Sequence, residues 1–264
     1  MILADFHTHT NYCDGKDTPE EMVLAAIERG MEAIGFTEHS YTPFDMRYCL
    51  TEEKTKAYIQ DVRALQEKYK NRIRIYCGLE LDSFAPIPAP GTFDFLIGSV
   101  HYVNFGDHYI PMDEGNDILR KGAADFCNGD IYCILEAYFE RVVEAVRRAD
   151  AQIIGHFDVV SKFQELDPAF DESHPRYVAA YRKALDALIP MNKVFEVNVG
   201  AISRGKRTTP YPSGPILQEI AARGGKLMLT GDTHQKENLC FQFEHWAAEL
   251  EKMGIILQEY TVMF

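Results

Sequence analysis

Short apolar runs alternate along the chain with longer stretches in which apolar residues recur every three or four positions. Ile2–Phe6, Ala33–Thr37, Ile73–Glu80, Phe93–Val100, Ile153–His156, Val194–Val199 and Lys226–Thr230 are short and rich in β-branched or aromatic residues, so they read as strands. Ile255–Val262, after a helix stop at Gly254, reads as one more. Thr18–Arg29, Thr51–Tyr69, Tyr132–Arg148, Pro175–Ile189, Pro215–Arg223 and Glu237–Met253 carry helical spacing. Strand followed by helix, repeated, predicts an α/β fold on a parallel sheet. Helix starts and stops support the same parsing. Thr18-Pro19-Glu20-Glu21 offers an N-cap, a first-turn proline and a capping-box glutamate, Gly214-Pro215 repeats the proline placement, and Gly30 and Gly224-Gly225 mark stops. Pro86–Gly91 and Asn104–Gly129 are poorly patterned and read as loops over one face. Without a linker-like tract, residues 1–264 are expected to form one domain.

Composition narrows the function classes. Apolar residues are 46% of the 264 positions, enough for a core, and the net charge is −13, which repels a nucleic-acid backbone. No stretch reaches the roughly 18 apolar residues of a membrane span, and the start of the chain lacks a signal-peptide pattern. The expectation is a cytoplasmic protein with neither nucleic-acid nor membrane partners. The six cysteines include no C-x-x-C pair and are expected to be reduced packing residues.

The candidate chemistry lies at the C-terminal ends of the strands. His7 and His9 follow the first strand, His39 the second, Glu80 the third and His101 the fourth. His156 follows the next, and Asp232 with His234 the last internal one. Parallel strands of a barrel deliver their last residues to one rim, where catalytic groups gather. Burying this many polar groups together without a metal is costly. Imidazole and carboxylate without thiolate suit Zn, Mn or Fe, and these eight groups exceed the positions of one ion, so two or three divalent ions are expected. Glu80 is the natural bridge. Asp5 falls on the same strand face as His7 and His9, either orienting a ligand or serving as a buried structural carboxylate. Arg204 and Lys162 lie in loops that open on the same rim. His108, His174 and His245 fit no strand end and read as surface or loop residues. Phe241, Phe243 and Trp246 read as barrel packing.

The runs D-F-H-T-H-T…D-G, T-E-H, G-L-E, S-V-H, G-H-F-D and G-D-T-H resemble the PHP (polymerase and histidinol phosphatase) family along essentially the whole chain. The resemblance implies a distorted (β/α)7 TIM-like barrel with a trinuclear site. His7, His9, Glu80 and Asp232 would hold one ion, Glu80, His101 and His156 a second, and Asp14, His39 and His234 a third. Asp14 comes from the resemblance alone. Within the family the chain looks most like the stand-alone members that hydrolyse L-histidinol phosphate in histidine biosynthesis. That implies a small phosphomonoester substrate and catalytic roles for Arg204, Glu80 and Asp232, with Arg204 and Lys162 on the phosphate. Another phosphomonoester, phosphotyrosine or a nucleotide is the alternative substrate, and a non-catalytic module the alternative class. One departure is G-D-T-H where the family commonly has S-D-A-H, which changes the packing around Asp232 and His234 but keeps both residues. Oligomeric state is left open.

Overall fold

A computed structural model describes residues 3–263. The first half runs β1 (Ala4–Asp5), α1 (Pro19–Glu28), β2 (Ala33–Phe36), α2 (Glu52–Tyr69), β3 (Arg74–Asp82) and β4 (Phe95–Ser99). A hairpin follows, β5 (Tyr102–Phe105) and β6 (His108–Pro111), and then α3 (Asn116–Phe126). The second half is α4 (Ile131–Ala149), β7 (Ile153–Ile154), α5 (Pro175–Leu188), β8 (Val194–Asn198), α6 (Gly200–Ser203), α7 (Gly214–Ala222), β9 (Lys226–Thr230) and α8 (Phe243–Lys252).

Seven strands form one sheet in the order β1-β2-β3-β4-β7-β8-β9, and every neighbouring pair is parallel. The sheet curls into a nearly closed α/β barrel, as expected. Its interior is filled by Phe6, Phe95, Ile97, Ile153, Val194, Met228 and Tyr260, which precede the polar rim along their strands or plug the sheet from the C-terminal segment. Larger apolar clusters lie between the sheet and its helices. The cap of α1 forms as the sequence indicates: Thr18 accepts from the Glu21 N–H, and the Glu21 carboxylate accepts from the Thr18 N–H at 2.9 Å.

Beyond β1 and β9 the barrel closes through a single parallel bridge, Thr8 to Thr233, in place of a full strand ladder. The His9 N–H donates to the Thr233 carbonyl at 2.8 Å and the Thr233 N–H to the His7 carbonyl at 2.9 Å. Below them the Asp5 carboxylate accepts from the Gly231 N–H at 2.8 Å and the Thr233 hydroxyl at 3.1 Å. Asp5 therefore fastens the seam and touches no ligand imidazole. The assumption that it shares a face with His7 fails because β1 is only two residues long and the chain leaves strand geometry after it.

Four other expectations are corrected. Asn104–Gly129 is not a loop but most of the β5–β6 hairpin and α3. The helix buries few apolar side chains, and Gly122, which looks like a breaker, lets Ile110 of β6 pack against it: a Cβ there would meet Ile110 Cδ1 at 2.9 Å. Cys127 and Cys133 are joined in a disulfide, with Cα atoms 6.1 Å apart. Asn128 and Gly129, both at positive φ, turn the chain back between α3 and α4 and bring the two sulfurs together. Cys13, Cys49, Cys77 and Cys240 are free. Ile255–Val262 makes a single bridge, Leu257 to Leu227, instead of a strand, because the segment turns under the barrel to stack Tyr260 on Phe6 at 5.1 Å. The last helix starts at Phe243 rather than Glu237, since Leu239 is tucked into the core by a preceding turn. Ile2, in the first expected strand, lies outside the described residues. No helix among the described residues is long and apolar enough to cross a membrane.

Candidate metal centre and catalytic pocket

All eight strand-end groups and Asp14 meet at one rim of the barrel. Glu80, 1% exposed, is the hub. Its Oε2 lies 2.7 Å from His39 Nδ1, 3.4 Å from His7 Nε2 and 3.7 Å from His9 Nε2. Its Oε1 lies 2.9 Å from His156 Nε2 and 3.4 Å from His101 Nε2. Five imidazoles thus converge on one carboxylate, so that Glu80 reaches the nitrogens of more than one of the expected ligand groups. Asp232 Oδ1 is 3.5 Å from His9 Nε2, and Asp14 Oδ2 is 3.4 Å from His234 Nε2.

Three of the groups that bring ligand atoms within 4.8 Å of one another are His7, His9 and Asp232; His39, Glu80 and His101; and His9, Asp14, His39 and His234. The sets overlap more than the resemblance implies, with His9 reaching the Asp14 group. A simple test shows that these residues suit cations. His7 Nε2 and His9 Nε2 are buried and have no hydrogen-bond partner. Burying such atoms unpaired is costly, whereas a divalent ion accepts their lone pairs.

The electrostatics point the same way. Burial, then the neighbouring His234 and His39, push His9 down to about 3, which keeps its ring neutral and able to ligate. At His7 burial also favours the neutral ring, but the charges of Glu196, Glu80 and Asp232 outweigh it and hold the pKa well above the usual value. Burial pushes Glu80 and Asp232 up, yet the surrounding histidines, and for Asp232 first of all Arg204, hold both well below the carboxylate range. The rim is therefore a negative field that attracts positive charge.

Support for the imidazoles comes from residues that the sequence reading does not single out. Glu196, on β8, accepts from His7 Nδ1 at 2.6 Å and from the His156 N–H at 2.7 Å. The Nδ1 proton is thus assigned to face Glu196, which leaves Nε2 facing the hub. Asp82 Oδ2 is 3.4 Å from His101 Nδ1. His9 Nδ1 lies 3.6 Å from the Cys13 thiol, which donates to buried Glu38. A charged residue inside an apolar run, as in VFEVN, is the one sequence signal that could have flagged Glu196.

The groups open into a cavity of about 260 Å³. Arg204 reaches its wall and donates to the Asp232 carbonyl at 2.8 Å and to Asp232 Oδ2 at 3.0 Å. Lys162 reaches the same cavity and pairs with Asp113 at 2.9 Å. His108 and His245 are exposed, and His174 caps α5 and stacks on Tyr132; none lines the cavity. Phe241, Phe243 and Trp246 pack on the large core.

Gly231 and Thr233, the positions that depart from S-D-A-H, are explained by Asp5. A Cβ on Gly231 would stand 2.2 Å from Asp5 Oδ2 and 2.3 Å from Thr233 Oγ1, so a glycine and a threonine hydroxyl together accommodate the carboxylate.

Fold and rim together define a parallel α/β barrel with a histidine-carboxylate centre suited to divalent ions. The PHP domain family matches residues 5–200, and the chain belongs to that family. A relative from Deinococcus radiodurans, named a probable histidinol-phosphatase, is 27% identical over 96% of this chain and 94% of its own length. The crystal structure of histidinol phosphate phosphatase from Lactococcus lactis, complexed with zinc, L-histidinol and phosphate, is 23% identical, with a TM-score of 0.70 over 97% of this chain and 95% of that one. A Listeria monocytogenes crystal structure shares the fold with a TM-score of 0.78 at 19% identity, covering 92% of this chain and 99% of that one.

Proposed function

We propose that the chain is a metal-dependent phosphomonoester hydrolase whose substrate is L-histidinol phosphate, releasing L-histidinol and inorganic phosphate. The observation that carries this reading is the Glu80 hub, five imidazoles about one carboxylate beside a cavity into which Arg204 projects. The relative from Lactococcus lactis, named for the same reaction, supports the choice of substrate.

His7, His9, Glu80 and Asp232 would hold one ion, Glu80, His101 and His156 a second, and Asp14, His39 and His234 a third. Two or three ions of Zn, Mn or Fe are proposed, and zinc is the one bound by the Lactococcus protein. Such ions supply Lewis acidity, which makes water acidic enough to ionise near neutrality and offsets charge on the phosphoryl group. The protein's own part is positioning. Glu196 holds His7 in one tautomer and Asp82 steadies His101. Arg204, fixed by Asp232, presents a guanidinium to the phosphoryl oxygens, and Lys162 adds a second cation at the wall. A cavity of about 260 Å³ has the size for one small phosphomonoester, and the net charge of −13 disfavours a nucleic-acid polymer. A cytoplasmic location and a single domain over residues 1–264 belong to the same proposal.

The deciding experiment measures phosphate release from L-histidinol phosphate beside a panel that includes phosphotyrosine, nucleotides and sugar phosphates, before and after chelation. Expected are a clear preference for L-histidinol phosphate, loss of release on chelation and its return with Zn, Mn or Fe. Equal rates across the panel would remove the substrate assignment, and chelator-resistant release would remove the metal.

A further inference from the structure

Tyr211 is 1% exposed, lines the catalytic cavity, and carries a hydroxyl with no hydrogen-bond partner. Its backbone is pinned to the end of β8. The Asn198 N–H donates to the Tyr211 carbonyl at 2.8 Å and the Tyr211 N–H to the Asn198 carbonyl at 3.0 Å. Its ring is pinned as well, because the Arg207 guanidinium stands 4.7 Å from the ring centre. Arg207 is itself buried and donates to the Ser161 carbonyl at 3.2 Å.

A buried polar group is almost always paired, and an unpaired one that lines a binding cavity, as Tyr211 does and Tyr177 does not, is placed to take a partner from the ligand. The charges about Tyr211 indicate which kind of ligand. A phenol is protonated at neutral pH, and burial, outweighing the opposing charges of Arg207 and Arg204, raises its pKa further, so the group can act as a donor. The ligand atom must therefore be an acceptor, and the adjacent Arg204 selects for an anion.

We propose that the Tyr211 hydroxyl donates a hydrogen bond to a non-bridging oxygen of the substrate's phosphoryl group, next to Arg204. The inference rests on the phosphomonoester reading above. Tyr211 is then a catalytic residue that keeps its proton throughout, and its hydrogen bond strengthens as charge develops on the phosphoryl oxygens during transfer.

Tyr211→Phe tests this cleanly, because it removes only the oxygen. Tyr177→Phe is the control: its hydroxyl is equally buried and unpartnered, but it sits in the core under α5 and does not line the cavity. Tyr211→Phe should lower kcat/KM for L-histidinol phosphate by about 100-fold. It should raise the inhibition constant of inorganic phosphate by roughly 10-fold. Its thermal midpoint should be no lower than the parent's, since the hydroxyl has no protein partner to lose. Tyr177→Phe should leave both kinetic constants unchanged. The proposal is overturned if Tyr211→Phe matches the parent in both constants, if both variants lose activity equally, or if Tyr211→Phe melts earlier. Should the parent fail to hydrolyse L-histidinol phosphate, the substrate assignment falls. Titrating parent and variant with inorganic phosphate then decides the role of the hydroxyl by itself.

Discussion

Glu196→Gln is the perturbation that most directly probes how the rim is assembled. The wild-type carboxylate is 1% exposed and receives three hydrogen bonds, from His7 Nδ1 at 2.6 Å, the His156 N–H at 2.7 Å and Asn198 Nδ2 at 3.2 Å. It thereby ties the His7 ring to the backbone that carries His156. A glutamine of the same shape has one acceptor oxygen. If that oxygen serves His7, its NH₂ faces the His156 N–H, donor against donor; if it serves His156, the NH₂ faces Nδ1 and drives His7 into the tautomer whose Nε2 is protonated and unable to ligate.

Either outcome loosens a ligand without emptying space in the core. Removing such a supporting group costs about 10- to 100-fold in metal affinity, or about 1.4–2.8 kcal/mol. The assay is competition of the protein against a chromophoric chelator for zinc, with bound ions counted by elemental analysis and the fold checked by circular dichroism. Glu196→Ala should lose at least as much affinity as Glu196→Gln. A Glu196→Gln protein that holds zinc as tightly as the parent would refute the argument that Glu196 sets the His7 tautomer.

Three further outcomes follow from the geometry. Glu80→Ala or His9→Ala should abolish turnover and reduce the ions bound per chain while circular dichroism still reports a folded protein; normal turnover in both variants would exclude the hub as the centre of the reaction. Arg204→Ala should lower kcat/KM about 100-fold by removing a charge-assisted donor, with Arg204→Lys recovering part of it, and equal activity in all three proteins would exclude a phosphate contact. Gly231→Ala should lower stability by about 1–3 kcal/mol in chemical denaturation, because its Cβ would meet Asp5 Oδ2 and Thr233 Oγ1, and Thr233→Ala should relieve part of that loss; strict additivity of the two changes would count against the shared packing.

Much of the site was legible because parallel strands turn a one-dimensional pattern into a ring. Once His39, Glu80, His101, His156 and Asp232 are each placed just at or beyond a strand end, a common rim follows without knowledge of any distance. Glu80 could be picked out as the centre of the rim for the same reason. The support around these residues carries no such pattern. Glu196 meets His7 across 189 positions, and the Cys13 thiol meets Glu38 across 25, so no spacing rule connects them. The hairpin and α3 were hidden for a different reason: the excursion breaks the strand–helix alternation, and the buried face of α3 is made of Asn116 and Gly122 as well as Leu119 and Ala123, so its helical spacing does not show as an apolar stripe.

Asp5 shows where strand alternation ceases to be informative. Counting by twos from His9 to His7 to Asp5 presumes a continuous strand, but β1 ends at Asp5 and pairing resumes only in the single bridge at Thr8. The price of ending β1 so early is a gap beside β9 at the level of the metal centre. Asp5 spans it with its side chain, accepting from Gly231 and Thr233, while Thr8 and Thr233 bridge immediately above. The alternation is broken between β1 and the Thr8 bridge, so that Phe6 fills the interior while His7 turns to Glu80. A regular strand would have to place neighbours Phe6 and His7 on opposite faces. The irregular seam that defeats the simple reading of Asp5 is therefore the same feature that brings two successive residues to the inside of the barrel, one to pack the core and one to build the centre.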